Sequence, residues 1–490
     1  MDPLELCVVL SLVFGFSFLW YVIALVFSFL HRSPGSPGDP AHYQWHFLVP
    51  CRDEAAVIAD TVAYLRGTFP LAVLWVIDDA SQDATASIVE ELGRDDAAVR
   101  LVRRTMPEAR TGKGDALNAA YRELCRTMAT DADRDRVLVC VVDADGRPSA
   151  NLFEVCAGSA VFADRRYGAA QVEVRMSNRD RRHPLPGKGI VSNLSAMLLA
   201  RLQDVEFRGP ISAMQILRER SATVNLGGNG QLVRLSALDS AAQEAGAPWG
   251  NALLEDYEIG LRLMLAGWRI AYTTDAWVEQ EALWSLRALL VQRTRWAQGS
   301  MQCVRYLPQI WQSPQFSNAG LLEVTYFMAQ PWLQIIGTLA YPAPLIVLFS
   351  NAARYPAFME TFLRDGGAAM LALYFVIGFG EFAIWAWVYR RRCERGLSSR
   401  QAWAIGVGLV GYAWLSYAIA WRAFARLVTG RTAWPKTRRN AELALPTPRS
   451  AQASRDVQTQ DARTQVAQPQ VAQTQDAQTQ DAQTSDAIAR

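Results

Sequence analysis

Between residues 46 and 142 short apolar runs alternate with segments whose apolar positions recur every three to four residues. HFLVP (46–50) precedes EAAVIADTVAYLRG (54–67), and VLWVI (73–77) precedes DDASQDATASIVEELG (78–93). VRLV (99–102) leads to GDALNAAYRELCRTM (114–128), and VLVCVV (137–142) leads to DADG (143–146). Runs that are apolar at nearly every position are strands buried on both faces, and the intervening segments have helical period. The pattern predicts an α/β fold with a largely parallel sheet covered on both sides by helices. In such sheets ligands bind beyond the carboxyl ends of the strands, so the polar residues that end these runs are the first candidates for chemistry.

A second pattern is longer. Residues 6–30 contain no Asp, Glu, Lys or Arg, and a membrane span needs about 20 apolar residues. The start MDPLEL is acidic and the first cation is Arg32, which argues for a retained helix with its N-terminus outside and not for a cleaved leader. Three further segments follow: Val324–Ala353, broken by Pro331, Pro342 and Pro344; Ala368–Tyr389, with one acid, Glu381; and Gln401–Trp421. The loop YRRRCERGLSSR between the last two is strongly basic, so it is expected inside. Three crossings after an inside domain would leave the C-terminus outside, yet Arg422, Arg426, Arg431, Lys436, Arg438 and Arg439 favour the inside. Either the first segment hides an interfacial helix and a second crossing, or one segment is re-entrant. Glu381 reads as a functional intramembrane acid or as a helix-packing residue.

These patterns divide the chain into an N-terminal transmembrane helix (1–32), a soluble block (33–318) entered through Pro34, Pro37 and Pro40, a membrane region (319–430) and a Gln/Thr/Asp/Ala-rich tail (441–490). The tail lacks the apolar surface to offset chain entropy and is expected to be disordered. Composition narrows the classes. Of 490 residues, 51% are hydrophobic and 49 Lys+Arg face 47 Asp+Glu, a net charge of +2, so no nucleic-acid partner is expected. Seven scattered Cys and four His supply neither a disulfide framework nor a structural zinc site.

The strand ends are acidic: Asp78 and Asp79 close one, Asp143 and Asp145 another. Paired carboxylates among small residues suit Mg²⁺ or Mn²⁺ shared with phosphate oxygens, although Asp-x-Asp is also an ordinary turn or cap. EARTGKGDALN places Arg110 and Lys113 ahead of a helix, where cations and backbone N–H groups could cradle phosphate; a solvated basic turn is the alternative. LGGNGQLVRLSAL (226–238) gathers three glycines around Asn229, a place for backbone to approach a ligand closely. LLEDYEIGLRLMLAGWRI (253–270) puts Glu255, Asp256 and Glu258 at a helix start, where they serve the helix dipole or project one general base into a cleft. QRTRWAQGSMQ (292–302) joins Gln292, Arg295 and Trp296, fit for a diphosphate and a sugar ring or for an interfacial helix.

The order DDAS, DAD, LLED, QRTRW, with membrane segments on either side, resembles the membrane-integrated family 2 glycosyltransferases, the group of cellulose, hyaluronan, chitin and poly-N-acetylglucosamine synthases and some glycolipid synthases. The likeness covers roughly residues 45 to 305. It implies a GT-A, Rossmann-like nucleotide-sugar fold facing the cytoplasm in a multi-pass protein of the plasma membrane. It implies Pro50 and Glu54 beside the nucleoside, Asp79 reading the uracil ring with Asp78 in support, and Lys113 on the diphosphate. Asp143 and Asp145 match the DxD pair, with Asp145 meeting Mg²⁺ or Mn²⁺. Asp256 matches the catalytic base, supported by Glu255, and Gln292, Arg295 and Trp296 match the QxxRW motif at diphosphate and acceptor. Two positions depart: Leu254 stands where Thr is expected, and Glu258 where Asp is frequent. The implied reaction is inverting transfer from a UDP-sugar to a saccharide or lipid acceptor at the bilayer, forming a β-linked polysaccharide. Single-sugar transfer to a lipid is the alternative, and a non-catalytic nucleotide-binding membrane scaffold stands behind both. The membrane region is short for a cellulose-synthase-sized channel, and the sequence names no accessory export protein.

Overall fold

The computed structural model describes residues 3–431 and residue 440. The tail expected to be disordered, and Lys436, Arg438 and Arg439, lie outside the described residues.

Eight strands form one sheet: β1 (Gln44–Cys51), β2 (Ala72–Asp79), β3 (Val99–Arg104), β4 (Val137–Val141), β5 (Arg147–Pro148), β6 (Tyr167–Met176), β7 (Gln231–Arg234) and β8 (Arg269–Gln280), in the order β3-β2-β1-β4-β7-β6-β8-β5. The first four are mutually parallel, as the apolar runs predict. Their side chains alternate between two cores. Trp45, Phe47 and Val49 of β1, with Leu74, Val76, Leu138 and Cys140, enter one cluster with the helix Ile58–Thr68. Leu48, Trp75, Ile77, Val139 and Val141 enter the other, with the helices Lys113–Thr127 and Glu255–Leu265. Each fully buried Val or Leu contributes about 1.5–3 kcal/mol, and burial on both faces explains the unbroken apolar runs.

Beyond β4 the sheet is mixed, which corrects the largely parallel expectation. β7 runs antiparallel to both β4 and β6. Its chain enters through Gly230, whose φ of +76° lies in the left-handed region, and Gly230 N donates to Val141 O at 2.9 Å. Because β7 reverses direction, its start meets the carboxyl end of β4, and the glycine loop lies beside Asp143 and Asp145.

Among the described residues, four helical runs are long and apolar enough to cross a membrane: Val9–Leu30, Asn318–Arg354, Phe358–Arg392 and Ser399–Val428. The second is two helices that meet at Tyr341–Pro342, with Pro331 inside the first. The C-terminal end of the N-terminal helix is built into the sheet-bearing block, where Val22, Leu25 and Phe29 are buried with Ala213 and Ile216. The last helix is anchored at both ends to the same block. Arg208 Nη1 is 2.7 Å from Glu394 Oε1 just before it, and Arg426 Nε donates to Gln298 Oε1 at 2.8 Å near its end. Ala402, Ile405, Leu409, Ala420 and Ala423 form its buried face, whereas Trp403, Val407, Trp414, Trp421 and Val428 are exposed.

Candidate active site

The strand-end acids occupy two compartments. Asp78 and Asp79, at the end of β2, are each 3% exposed. Asp79 Oδ1 accepts from the Arg104 guanidinium and from the backbone N of Arg110 at 3.0 Å, while its Oδ2 is buried without a partner. Asp78 Oδ1 accepts from Ser81 N at 3.3 Å and so shapes the turn after the strand. Arg110 Nη2 donates to Ala80 O at 2.6 Å. Arg110 therefore secures the Asp79 turn. Pro50 lies two residues beyond the last β1–β4 rung, Leu48↔Val141, and the next loop brings Glu54 beside the same end, its backbone N donating to Thr85 Oγ1 at 2.8 Å.

The second compartment is formed at the end of β4. Lys113 is the first residue of its helix and reaches 2.7 Å to Asp143 Oδ1, 3.2 Å to Gly228 O and 3.7 Å to Glu255 Oε1. Burial opposes its charge, but Asp143, Glu255 and Asp256 together hold the ammonium above the ordinary lysine value. A Cβ at Gly228 would stand 3.0 Å from Lys113 Nζ and 3.1 Å from Asp256 Oδ2, so the glycine lets the loop backbone sit directly over this cluster. Asp143 N donates to Asn229 Oδ1 at 3.2 Å, and Asp145 Oδ2 accepts from Glu281 N at 3.1 Å.

Asp256 and Glu255 open the helix Glu255–Leu265 and are each 9% exposed. Burial, and then the charge of Glu255, push the Asp256 carboxyl up to about 7 against the opposing pull of Lys113. Asp256 Oδ1 accepts from Tyr257 N at 2.7 Å. Arg295, on the helix Leu286–Cys303, faces the same acids. Burial pushes its guanidinium below the ordinary value while Glu255, Asp143 and Asp256 pull it back. Lys113, Asp143, Glu255, Asp256 and Arg295 thus meet in one cluster. Trp296 is half-buried one residue on, 6.2 Å from Phe207 ring to ring, and Gln292 is half-buried one turn earlier.

The two departures now have local accounts. Leu254 makes no side-chain cap, and it packs against Gly299, whose added Cβ would fall 2.5 Å from Leu254 Cβ; the Arg295 helix is thereby pressed onto the Asp256 helix. Glu258 is fully buried and turned away from the cluster. It accepts from Tyr306 Oη at 2.6 Å, Arg305 at 2.5 Å, Arg262 at 3.2 Å and Ala252 N at 2.8 Å. It ties the loop before Asp256 to the end of the Arg295 helix.

Sequence reasoning missed Arg104 as the grip on Asp79, and the role of Glu258. Neither carries a local signal, because each depends on partners brought in by the fold. Among the described residues no group of three His, Cys, Asp or Glu is spaced to enclose a metal ion. A Mg²⁺-like ion held by one or two carboxylates and substrate phosphate oxygens needs no such enclosure, so the Asp143–Asp145 strand end fits that mode.

A sequence model of glycosyltransferase-like family 2 matches residues 43–299, just over half of the chain. A beta-monoglucosyldiacylglycerol synthase of Trichormus variabilis is 28% identical over 284 residues, 55% of this chain and 53% of that protein. A poly-beta-1,6-N-acetyl-D-glucosamine synthase of Staphylococcus epidermidis is 22% identical over 350 residues, 68% of this chain and 73% of that protein. The chain spans about half the length of the synthases of the first kind. Among solved structures, a mannosyltransferase of Pyrobaculum calidifontis in complex with GDP-Man and Mn²⁺ superposes with a TM-score of 0.53 at 17% identity, covering 87% of this chain and 99% of that one. That likeness concerns the fold.

Proposed function

The chain belongs to glycosyltransferase-like family 2, and from that membership we propose that it moves a sugar from a UDP-sugar to a hydroxyl acceptor at the membrane, with inversion at the anomeric carbon. The observation that carries the reading is the single cluster of Lys113, Asp143, Glu255, Asp256 and Arg295 at the carboxyl edge of the sheet. A non-catalytic scaffold has no use for a buried acid poised near neutrality beside two half-buried cations.

In this reading Asp79 takes an N–H of the base through its unpartnered oxygen, with Asp78, Pro50 and Glu54 around the nucleoside. Lys113 and Arg295 face the diphosphate, and Trp296 and Gln292 stand toward the acceptor. Asp256 removes the acceptor hydroxyl proton as that oxygen bonds to the anomeric carbon. The bond from carbon to the diphosphate breaks, and UDP leaves with the electron pair. One displacement converts an α-linked donor to a β-linked product. Mg²⁺ or Mn²⁺, held by Asp145 and Asp143, would supply charge neutralisation for the leaving diphosphate. Mn²⁺ is present in the Pyrobaculum mannosyltransferase complex. That complex holds GDP-Man, so the base is part of the test.

The acceptor class has two precedents, a glucosyldiacylglycerol synthase and a poly-N-acetylglucosamine synthase. The basic segment Arg390–Arg400 favours a domain facing the cytoplasm in a multi-pass protein. The last helix is tied to the domain at both ends, which supports Arg422, Arg426 and Arg431 lying on the domain's side of the membrane. The test is release of UDP or GDP by the full chain in nanodiscs supplied with a panel of sugar nucleotides. Turnover of one or more UDP-sugars is expected, and turnover of GDP-sugars alone would overturn the assigned base.

A further inference from the structure

Behind the Arg295 helix lies a cavity of about 650 Å³, lined by the N-terminal helix, the helices of the membrane region and the stretch from Glu206 to Met214. Its floor is the back of the active-site helix. Leu289 and Arg293 line the cavity, while Arg295 two residues on faces the acid cluster. The Arg293 guanidinium sits 4.0 Å over the ring of Trp296, so one side chain links the cavity to the QxxRW motif. Building on the transferase reading, we propose that this cavity holds the acceptor, and that the acceptor is a neutral glycerolipid with a free hydroxyl, of the diacylglycerol class.

The walls argue for a lipid. They are mainly apolar side chains such as Leu12, Phe18, Val22, Leu333 and Leu409, in a volume typical of small-molecule sites. A saccharide chain presents hydroxyls on every side, and each one buried without a partner is destabilising. Acyl chains have no such requirement. Tyrosine hydroxyls and the amides of Gln330 and Gln334 interrupt the apolar wall, and two charged groups in it are incompletely bonded. Arg293 is 7% exposed with Nε and Nη1 lacking partners, and Glu381 is 4% exposed with Oε1 lacking one. Ester carbonyls accept from the open N–H groups of Arg293, and this orients the glycerol hydroxyl toward Trp296 and the base beyond it.

The charge of the lining selects a neutral head. Among the described residues its carboxylates and cations are Glu206, Glu381 and Arg293. The one cation is already paired, Arg293 Nη2 to Glu206 Oε2 at 2.6 Å, and Tyr412 Oη donates to the same carboxylate oxygen at 2.7 Å. Two acids against one paired cation leave no surplus positive charge for a lipid phosphate. The step balances as before: the glycerol oxygen bonds to the anomeric carbon, its proton passes to Asp256, and the nucleoside diphosphate departs.

The test offers the full chain in nanodiscs a UDP-sugar together with dioleoylglycerol, undecaprenyl phosphate or a soluble oligosaccharide, and identifies products by mass. One hexosyl unit on dioleoylglycerol is expected. Gly378 lines the cavity, and a Cβ there meets nothing within 4 Å. Gly378→Leu, and Ala413→Trp from another wall, should raise the KM for dioleoylglycerol about tenfold or more while slow hydrolysis of the UDP-sugar continues unchanged. Preference for undecaprenyl phosphate, a saccharide ladder, or an unchanged KM for dioleoylglycerol in both variants would overturn the acceptor assignment while the transferase reading stands. A wild-type chain that neither binds nor hydrolyses any sugar nucleotide would overturn both.

Discussion

Lys113 Nζ is 2.7 Å from Asp143 Oδ1: the cation proposed for the diphosphate is held by an acid of the strand end proposed for the metal. Two opposite charges, each proposed to meet the donor, are paired with each other. Donor phosphates arriving with a divalent ion would exchange this contact for two new ones, cation to phosphate and carboxylate to metal. Neither charge is then left buried and uncompensated at any stage.

Removing one partner exposes the dependence. Lys113→Met leaves Asp143, Glu255 and Asp256 facing one another with Arg295 as the remaining cation of the cluster. UDP affinity, measured by calorimetry with Mn²⁺ present, should fall about tenfold or more, that is by at least ~1.4 kcal/mol. Affinity equal to wild type would remove Lys113 from the diphosphate site.

The metal assignment is tested at the neighbouring acid. Wild-type UDP binding should weaken when Mn²⁺ and Mg²⁺ are stripped with EDTA, and recover on adding either back. In Asp145→Ala the two conditions should give the same weak affinity. A variant that still responds fully to Mn²⁺ would show that Asp145 is not a ligand.

Asp79 offers a test that leaves the protein unaltered. Its Oδ2 is buried without a partner while Oδ1 is held by Arg104 and the Arg110 backbone. In the proposed site an N–H of the base would complete it, so UDP methylated at N3 should bind about tenfold or more weakly than UDP, the penalty of a buried acceptor left unmet. Equal affinities would place the uracil elsewhere.

The pH dependence follows from Asp256. Its carboxyl, raised by burial and by Glu255 to about 7, is protonated below that value, and a protonated acid cannot take a proton from the acceptor. kcat/KM should therefore fall as pH drops through about 7 and level off above it. A profile that stays flat down to pH 5 would show that the base has an ordinary carboxylate pKa or is another residue.

Much of this site is legible in the sequence, for physical reasons specific to certain residues. Asp78, Asp79, Asp143 and Asp145 stand out because β2 and β4 are buried on both faces, so a carboxylate ending such a run must be at the sheet edge. β7 escapes notice because its four residues include Gln231 and Arg234, which are buried and polar and give no strand alternation. Arg104 reads as a solvated strand-end charge until Asp79 is placed opposite it. Glu258 reads as one more acid at a helix start, whereas its partners Arg305 and Tyr306 lie 47 and 48 residues along the chain. The course of the last helix is set by Arg426 meeting Gln298, 128 residues away, and no local hydropathy reports that contact.

Asp256, proposed as the base of a sugar transfer in this cluster, is tested by single-turnover transfer with wild type and Asp256→Asn, UDP binding being followed on the same samples. A rate about 10²–10⁴-fold lower in the variant, with UDP affinity retained, is expected. Transfer at a near wild-type rate by Asp256→Asn would contradict it.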